Sequence, residues 1–232
     1  MLVSRPAHDP RPDPRFEAWP HRLSGTVIAA LLNHRPQLAA LGDAVHAAPY
    51  QAPPRAPVLA LRPRHMLAGE GAAIEVPAAV EVGASLGIVI GRSACRVAAA
   101  DAMHHVAGYL AVGELGLPLA SHYRPALRHK ARDGFCPLGA RVAPAHEVGD
   151  ADALALRVRV DGRLVHASST GARLRGVAQL IADVSEFITL QPGDVLTLGA
   201  SLGAPRAAAG QAVTIEVDGV GSLSFTLVAE AA

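Results

Sequence analysis

Two stretches near the end of the chain alternate apolar and polar residues, and this pattern constrains the fold more than any other feature. The apolar positions are Val213, Ile215 and Val217 in the first stretch and Leu223, Phe225 and Leu227 in the second. A period of two is typical of a strand that buries one face. The intervening Asp218-Gly219-Val220-Gly221 predicts a turn, so the two strands should form a hairpin.

Short apolar runs elsewhere also indicate strands, whereas few segments have helical spacing. The predicted strands are Thr26–Leu32, Val58–Leu61, Ser85–Ile90, Val106–Val112 and Val195–Leu198, and the predicted helices are Gln37–Ala47, Ala99–His105 and Leu174–Leu190. In the longest helix, apolar residues from Val177 to Ile188, Phe187 included, recur on one face that should lie on a sheet. Because strands dominate and do not alternate regularly with helices, we predict an α+β protein on a curled, mainly β framework.

The composition is that of a globular protein with a largely aliphatic core. Half of the 232 residues are hydrophobic but only 3% are aromatic. The chain is long enough for one large domain, which we place at residues 23–232, with Tyr109 and Phe135 in its core. Residues 1–22 contain five prolines, which predicts a flexible tail before that domain.

Charge and hydropathy argue against two classes of partner. The 21 Lys and Arg residues are dispersed and are balanced by 20 Asp and Glu residues, which gives a net charge of +1. A nucleic-acid binder has a clustered basic patch instead. No apolar run reaches the roughly 18 residues of a membrane span, and the first residues lack the apolar centre of a secretion signal. We therefore expect a cytoplasmic protein that binds neither nucleic acid nor membrane.

The residue types that often form metal or nucleophilic sites are scattered along the chain. Cys95 and Cys136 lie far apart and outside any Cys/His cluster, so we predict two buried or half-buried thiols rather than a zinc site or a disulfide framework. The histidines show no Ser/His/Asp spacing, and we interpret them as structural. They include His34, His104, His105, His122 and His166.

Several spaced blocks of sequence point to a known family. The blocks are Gly87–Arg92, Asp101–Ala102, Val106–Tyr109, Lys130 with Asp133–Gly139, Asp161–Arg163, Ser185–Phe187 and Leu190–Val195. In this order they resemble the fumarylacetoacetate hydrolase family over residues 26–228. The resemblance implies a mixed β-sandwich or roll with few helices.

A second set of motifs resembles the isomerase/decarboxylase branch of that family, which acts in aromatic catabolism. These motifs are Leu32–Leu38, Ala48–Pro54, Tyr123–Leu127 and Arg132–Pro137. The fused enzymes of this branch have two repeats, and the chain matches the length of the first, which implies a free-standing subunit. The resemblance also implies a small dicarboxylate substrate, metal-dependent decarboxylation of an oxo-hexene-dioate or tricarboxylate, and isomerisation of the resulting hydroxydienoate.

The metal ligands that the family resemblance implies are mostly missing. A Glu-x-Glu pair and an Asp would bind a divalent ion such as Mg or Mn, which acts as a Lewis acid on the substrate. The three positions fall on Gly83, Ser85 and Glu114. One carboxylate cannot replace three, so we expect a degenerate metal site here and a metal bound by a partner subunit. Glu81 is a shifted ligand only if the register slips by two residues, and we interpret it as solvated.

Two basic residues are candidate site residues. Lys130 occupies the position of the family's lysine, which the resemblance places against substrate carboxylate or enolate charge; the alternative is a solvated side chain in the basic run from Arg128. Arg124 would bind a dicarboxylate through its planar fork, the alternative being a surface ion pair. The family's Thr-Gly-Thr-Pro-x-Gly turn is here Leu198–Gly203, without two of its hydroxyl groups.

Two functions are consistent with this pattern. The chain is half of a working isomerase/decarboxylase, active alone or within a hetero-oligomer, or it is a catalytically silent structural subunit that packs on a homologous metal-bearing partner. The motif pattern favours the second, and a homo-oligomer is a further expected state. A third function, an oxaloacetate decarboxylase or acylpyruvase of the same family, also needs the missing glutamates.

Overall fold

The computed structural model describes residues 17–18, 21–119 and 126–231. Its strands are β1 (Glu17–Ala18), β2 (His21–Arg22), β3 (Val27–Leu31), β4 (Val58–Arg62), β5 (Leu67–Ala68), β6 (Ala73–Val76), β7 (Val80–Ile90), β8 (Val106–Gly116), β9 (Cys136–Pro137), β10 (Ala143–Pro144), β11 (Ala155–Val160), β12 (Arg163–Ser169), β13 (Val195–Thr197), β14 (Arg206–Ala207), β15 (Ala212–Val217) and β16 (Gly221–Ala229). Its α-helices are α1 (Arg35–Ala39), α2 (Leu127–Lys130) and α3 (Val177–Ser185), and its 3₁₀ helices are Gly42–His46, Arg64–Met66, Ala102–His105 and Thr170–Ala172.

Two packed sheets form the framework. The larger has the strand order β10-β8-β7-β13-β3-β4, with β14 also paired to β7, and it is mixed because β13 is parallel to β3 and antiparallel to β7. The smaller has the order β12-β11-β15-β16-β6. Strand β8 packs against β15 and β16, and β7 packs against β11, so the sheets face each other across the core. The predicted α+β, mainly β class is confirmed.

The two longest strands, β7 and β8, form the centre of the core. Nearly every residue of β7 is buried, as expected for a strand covered on both faces. Tyr109 and Phe135 are each 1% exposed, which confirms their predicted core positions. Burial raises the pKa of Tyr109 to about 12, so its hydroxyl stays protonated.

Most predicted strands are present, and the two central ones are longer than expected. The hairpin of β15 and β16 is confirmed, with Val217 opposite Gly221 at the turn. Strand β7 begins five residues before Ser85, and β8 continues to Gly116, because their pairing extends through Gly83 opposite Glu114. The ends of these strands contain glycines and polar residues, so they lack the apolar pattern from which a strand is predicted.

Two helix predictions were partly wrong. The predicted helix Leu174–Leu190 is α3, which ends at Ser185, and Phe187 beyond it is 65% exposed rather than buried. The predicted helix Gln37–Ala47 is α1 followed by a 3₁₀ helix. The change falls at Gly42, whose φ of 49° lies in the left-handed region and interrupts an α-helix.

The hairpin of β11 and β12 is not among the predicted elements. Its turn residues Asp161 and Gly162 have φ of 49° and 77°, the positive values that two-residue hairpin turns favour. Strand β12 is an edge strand on which the neighbouring residues Leu164 and Val165 are both exposed, so it lacks the alternation of a half-buried strand.

Three smaller predictions have different outcomes. Cys136 is buried as expected, with its pKa raised to about 12 by burial, whereas Cys95 is exposed, so the prediction for that thiol was wrong. The proposed tail, residues 1–22, falls largely outside the described residues and stays a prediction. Among the residues with described positions, no helix is both long enough and apolar enough to span a membrane.

Candidate functional site

The three positions expected to carry metal ligands lie together on β7 and β8. Gly83 is directly opposite Glu114, and Ser85 is opposite Val112. Residues two apart on a strand share a face, and directly opposite residues are neighbours on that face. A Cβ on Gly83 would lie 3.4 Å from the Cβ of Glu114. Gly83, Ser85 and Glu114 therefore lie on one face of the paired strands.

Both carboxylate oxygens of Glu114 are engaged by other side chains. Arg62, at the end of β4, donates from Nη2 to Oε2 at 3.1 Å, and Thr197 of β13 donates from Oγ1 to Oε1 at 2.9 Å. The side chains of Arg62 and Glu114 are only 6% and 7% exposed. Glu114 is thus one partner of a buried ion pair.

The other two positions offer little to a cation. Ser85 is fully buried, and its hydroxyl donates to the carbonyl of Leu86 on its own strand at 3.4 Å. At Gly83 an added Cβ would lie 2.7 Å from the Cβ of Ala200 and 3.0 Å from the carbonyl oxygen of Glu114. The backbone around Gly83 therefore has no room for a side chain.

A second arginine is buried near Glu114. Arg173 lies between β12 and α3 and is 3% exposed, and none of its three guanidinium nitrogens has a hydrogen-bond partner among the described residues. Burial lowers its pKa to about 10, and the negative charge of Glu114 opposes that shift. Arg173 therefore stays cationic at neutral pH. We call Arg62, Glu114, Arg173 and Thr197 the charged site.

Two histidines lie in this region, His34 beside Arg173 and His166 near His34. His34 pairs with Arg173 in an antiparallel β-bridge, and its Nδ1 accepts a hydrogen bond from the Leu202 amide at 3.1 Å. His166 Nε2 lies 3.0 Å from the hydroxyl of Ser201. Burial lowers the pKa of both imidazoles, and for His34 the charge of Arg173 and the proximity of His166 lower it further. Both rings are therefore neutral at neutral pH.

The remaining predicted site residues lie at the edge of this region or outside the described part of the chain. Lys130 ends α2, and its Nζ is 3.5 Å from where a Cβ on Gly116 would stand, at the end of β8 two residues beyond Glu114. Glu81 is half-buried opposite Gly116. Arg124 lies outside the described residues. The roles of Lys130 and Arg124 stay predictions.

Local sequence patterns do not identify Arg62, Thr197 and Arg173 as site residues. Arg62 ends a strand and precedes Pro63, and Arg173 looks like one of many dispersed arginines. Their meeting with Glu114 depends on contacts across 52 or more residues of chain, which no local spacing reveals. Only the absence of the two expected glutamates indicated that the charges at this position differ from the family pattern.

The fold and the site together define a mainly β protein with a small, buried, net cationic site on its central strands. The chain matches the family model described as fumarylacetoacetate (FAA) hydrolase C-terminal over residues 26–228. The chain therefore belongs to the fumarylacetoacetate hydrolase family.

Two curated relatives and one solved structure show which members of the family this chain is similar to. Over 210 residues the chain is 36% identical to the 4-hydroxyphenylacetate degradation bifunctional isomerase/decarboxylase of Escherichia coli and 38% identical to that of Salmonella dublin, covering 90% of this chain and 48% of each relative. A solved structure of 5-carboxymethyl-2-hydroxymuconate delta-isomerase from Mycobacterium smegmatis is similar with a TM-score of 0.73 and 29% identity, over 90% of this chain and 81% of that one. The chain spans about half the length of these curated relatives.

The buried ion pair gives a first test. We expect Glu114→Gln to lower the free energy of unfolding by about 3 kcal/mol, because it leaves two buried guanidinium groups without a carboxylate. Glu147→Gln is the matched control, since Glu147 pairs with Arg141 at the surface, where the side chains are 51% and 59% exposed, and should change stability by less than about 0.5 kcal/mol. Urea unfolding measures both, and equal stability of the two variants would contradict the assignment.

The packing at Gly83 gives a second test. Gly83→Ala should destabilise the protein by about 1–3 kcal/mol, because the new methyl group would overlap Ala200. Adding Ala200→Gly should recover part of that loss, a coupling that a double-mutant cycle of thermal or urea unfolding detects. Gly149→Ala is the control, since nothing lies within 4 Å of a Cβ there. Strict additivity of the Gly83 and Ala200 substitutions would refute the contact.

The two neutral histidines predict a pH dependence. Their folded-state pKa values lie below the ordinary 6.5, so below about pH 6.5 the unfolded chain binds more protons and the free energy of unfolding falls, with no effect above that pH. The double variant His34→Asn/His166→Gln, which keeps an acceptor for Leu202 and a partner for Ser201, should lose less stability than the parent between pH 7.5 and 5. The exposed His104→Gln is the control. An identical pH profile for parent and double variant would rule the effect out.

Proposed function

We propose that this chain is a subunit of a 4-hydroxyphenylacetate-degradation isomerase/decarboxylase with a degenerate metal site. The reactions are decarboxylation of 5-carboxymethyl-2-oxo-hex-3-ene-1,7-dioate and isomerisation of 2-hydroxyhepta-2,4-diene-1,7-dioate. In this proposal the chain supplies assembly surface and, through Lys130, a contribution to substrate binding, and a homologous subunit supplies the metal ligands. The similarity to relatives named for both activities, which covers one half of their length, supports the pathway.

The contacts within the charged site support the proposal that the metal ion binds to a homologous subunit and not to this chain. A hard divalent cation needs several oxygen ligands that are free to face it. Of the three expected positions only Glu114 has a carboxylate, and its two oxygens are bonded to Arg62 and Thr197. Arg62 and Arg173 also place two positive charges beside the position that a metal cation would have to occupy, and these charges would repel it. The residues present therefore do not fit a divalent metal ion.

The lost space at Gly83 supports the same conclusion. A carboxylate ligand at this position would need a Cβ that approaches Ala200 to 2.7 Å. Restoring a glutamate would thus require a shift of the Leu198–Gly203 turn as well. Gly83, Ser85 and the Leu198–Gly203 turn all depart from the pattern that the family resemblance implies, which favours a site adapted to another role over one isolated loss.

Two alternatives differ from the proposal in a measurable way. A catalytically silent structural subunit would add nothing to the turnover of its partner beyond stability. A hydrolase or decarboxylase acting on other 2-oxo acids would turn over oxaloacetate or an acylpyruvate by itself. The half-buried Lys130, at the end of the strand that carries Glu114, favours a contribution to substrate binding over complete silence.

The test compares the chain alone with the chain mixed with a homologue from the same genome that has an intact Glu-x-Glu pair. We expect no Mg²⁺-dependent decarboxylation by the chain alone, a stable complex in size-exclusion chromatography, and higher turnover by the complex than by the partner. Lys130→Met should lower turnover of the complex without dissolving it. Robust metal-dependent turnover by the purified chain alone would overturn the proposal, and turnover of oxaloacetate would favour the second alternative.

A further inference from the structure

The guanidinium of Arg173 is the most unusual polar group in the described part of the chain. It is 3% exposed, and Nε, Nη1 and Nη2 all lack a hydrogen-bond acceptor among the described residues. Buried donors in native proteins are almost always paired, and a buried charge without a partner is strongly unfavourable. A group with this environment calls for an acceptor from outside the described fold.

The carboxylate whose charge acts on Arg173 makes no hydrogen bond to it. Glu114 is close enough for its charge to act on Arg173, but its oxygens are already bonded to Arg62 and Thr197. Two guanidinium groups and one carboxylate leave the charged site with one net positive charge. The Nε of Arg62 is also buried, with no acceptor in the part of the chain that the structure describes. The site is therefore one negative charge short of neutrality.

The other polar neighbours do not supply the missing charge. His34 and His166 are neutral at neutral pH, and His166 is bonded to Ser201. The side-chain amide of Asn33 is used three times, by the carbonyls of Arg175 and Leu198 and by the amide of Arg175. None of these groups carries a negative charge that would balance Arg173.

We propose that Arg173 binds one carboxylate group of a small organic acid, and that it does so without a metal ion. A guanidinium presents parallel N–H donors that match the two oxygens of a carboxylate, and in Arg173 none of these donors has an acceptor among the described residues. One carboxylate would neutralise the net charge of the site. This binding concerns the charged site alone and does not depend on a partner subunit or on a particular pathway.

The experiment titrates the chain with malonate in the presence of EDTA at constant ionic strength, and it uses calorimetry and the thermal unfolding midpoint. We expect saturable binding and a rise in the midpoint, since a ligand that binds only the folded state stabilises it. Arg173→Met should weaken binding at least tenfold, because a charge-assisted pair is lost. Arg141→Met, at an exposed arginine, is the matched control and should bind like the parent.

The variant is expected to fold, because replacing an unpaired buried charge by an apolar side chain is neutral or stabilising. Its thermal midpoint without malonate should therefore equal or exceed that of the parent. Inorganic phosphate in a parallel titration distinguishes a carboxylate site from a general anion site, and it should bind more weakly than malonate. No saturable binding, unchanged binding by Arg173→Met, or equal binding of phosphate would each overturn the proposal. These outcomes leave the subunit assignment untouched, since that rests on assembly and turnover.

Discussion

The buried pair of Arg62 and Glu114 is the constraint on which the rest of the site depends. In the strand order of the larger sheet, β4 and β8 are four intervals apart, which would be about 19 Å in a flat sheet. A contact of 3.1 Å between their side chains requires the sheet to curl. Thr197, on β13 between them, bonds the other oxygen of Glu114, so the carboxylate side chain reaches across β7. That path passes Gly83, where a side chain would collide with Ala200.

The positive charge around Glu114 comes from guanidinium groups and not from the metal ion that the family resemblance implies. Family resemblance places a divalent cation among three carboxylates at this point, whereas this chain has one carboxylate and two guanidinium groups. A buried Glu114 with no cation beside it would be an uncompensated negative charge, and Arg62 compensates it directly. Arg173 then leaves the site net cationic, which suits an anion rather than a metal. Gly83 and Ser85 therefore lie in a site whose charges come from one carboxylate and two guanidinium groups.

Much of the framework was predictable because strands that bury one face reveal it locally. The alternation in β15 and β16 and the apolar runs of β3, β4 and β13 are properties of neighbouring residues, and each was found. The exposed edge strand β12 and the polar ends of β7 and β8 lack that pattern, so their extent follows from pairing rather than from sequence. The candidate site was likewise predictable only in part. Alignment to family motifs placed Gly83, Ser85 and Glu114 together, but the arginines meet Glu114 only through the curl of the sheet.

The most direct test of the account is a titration of the purified chain with Mn²⁺, followed by the loss of the free-ion signal in electron paramagnetic resonance. Because Glu114 is bonded to Arg62 and a side chain has no room at Gly83, we predict no saturable Mn²⁺ site at concentrations up to the millimolar range. The fused Escherichia coli relative is the comparison protein for the same titration. A stoichiometric Mn²⁺ site of micromolar affinity in this chain, abolished by Glu114→Gln, would contradict the account.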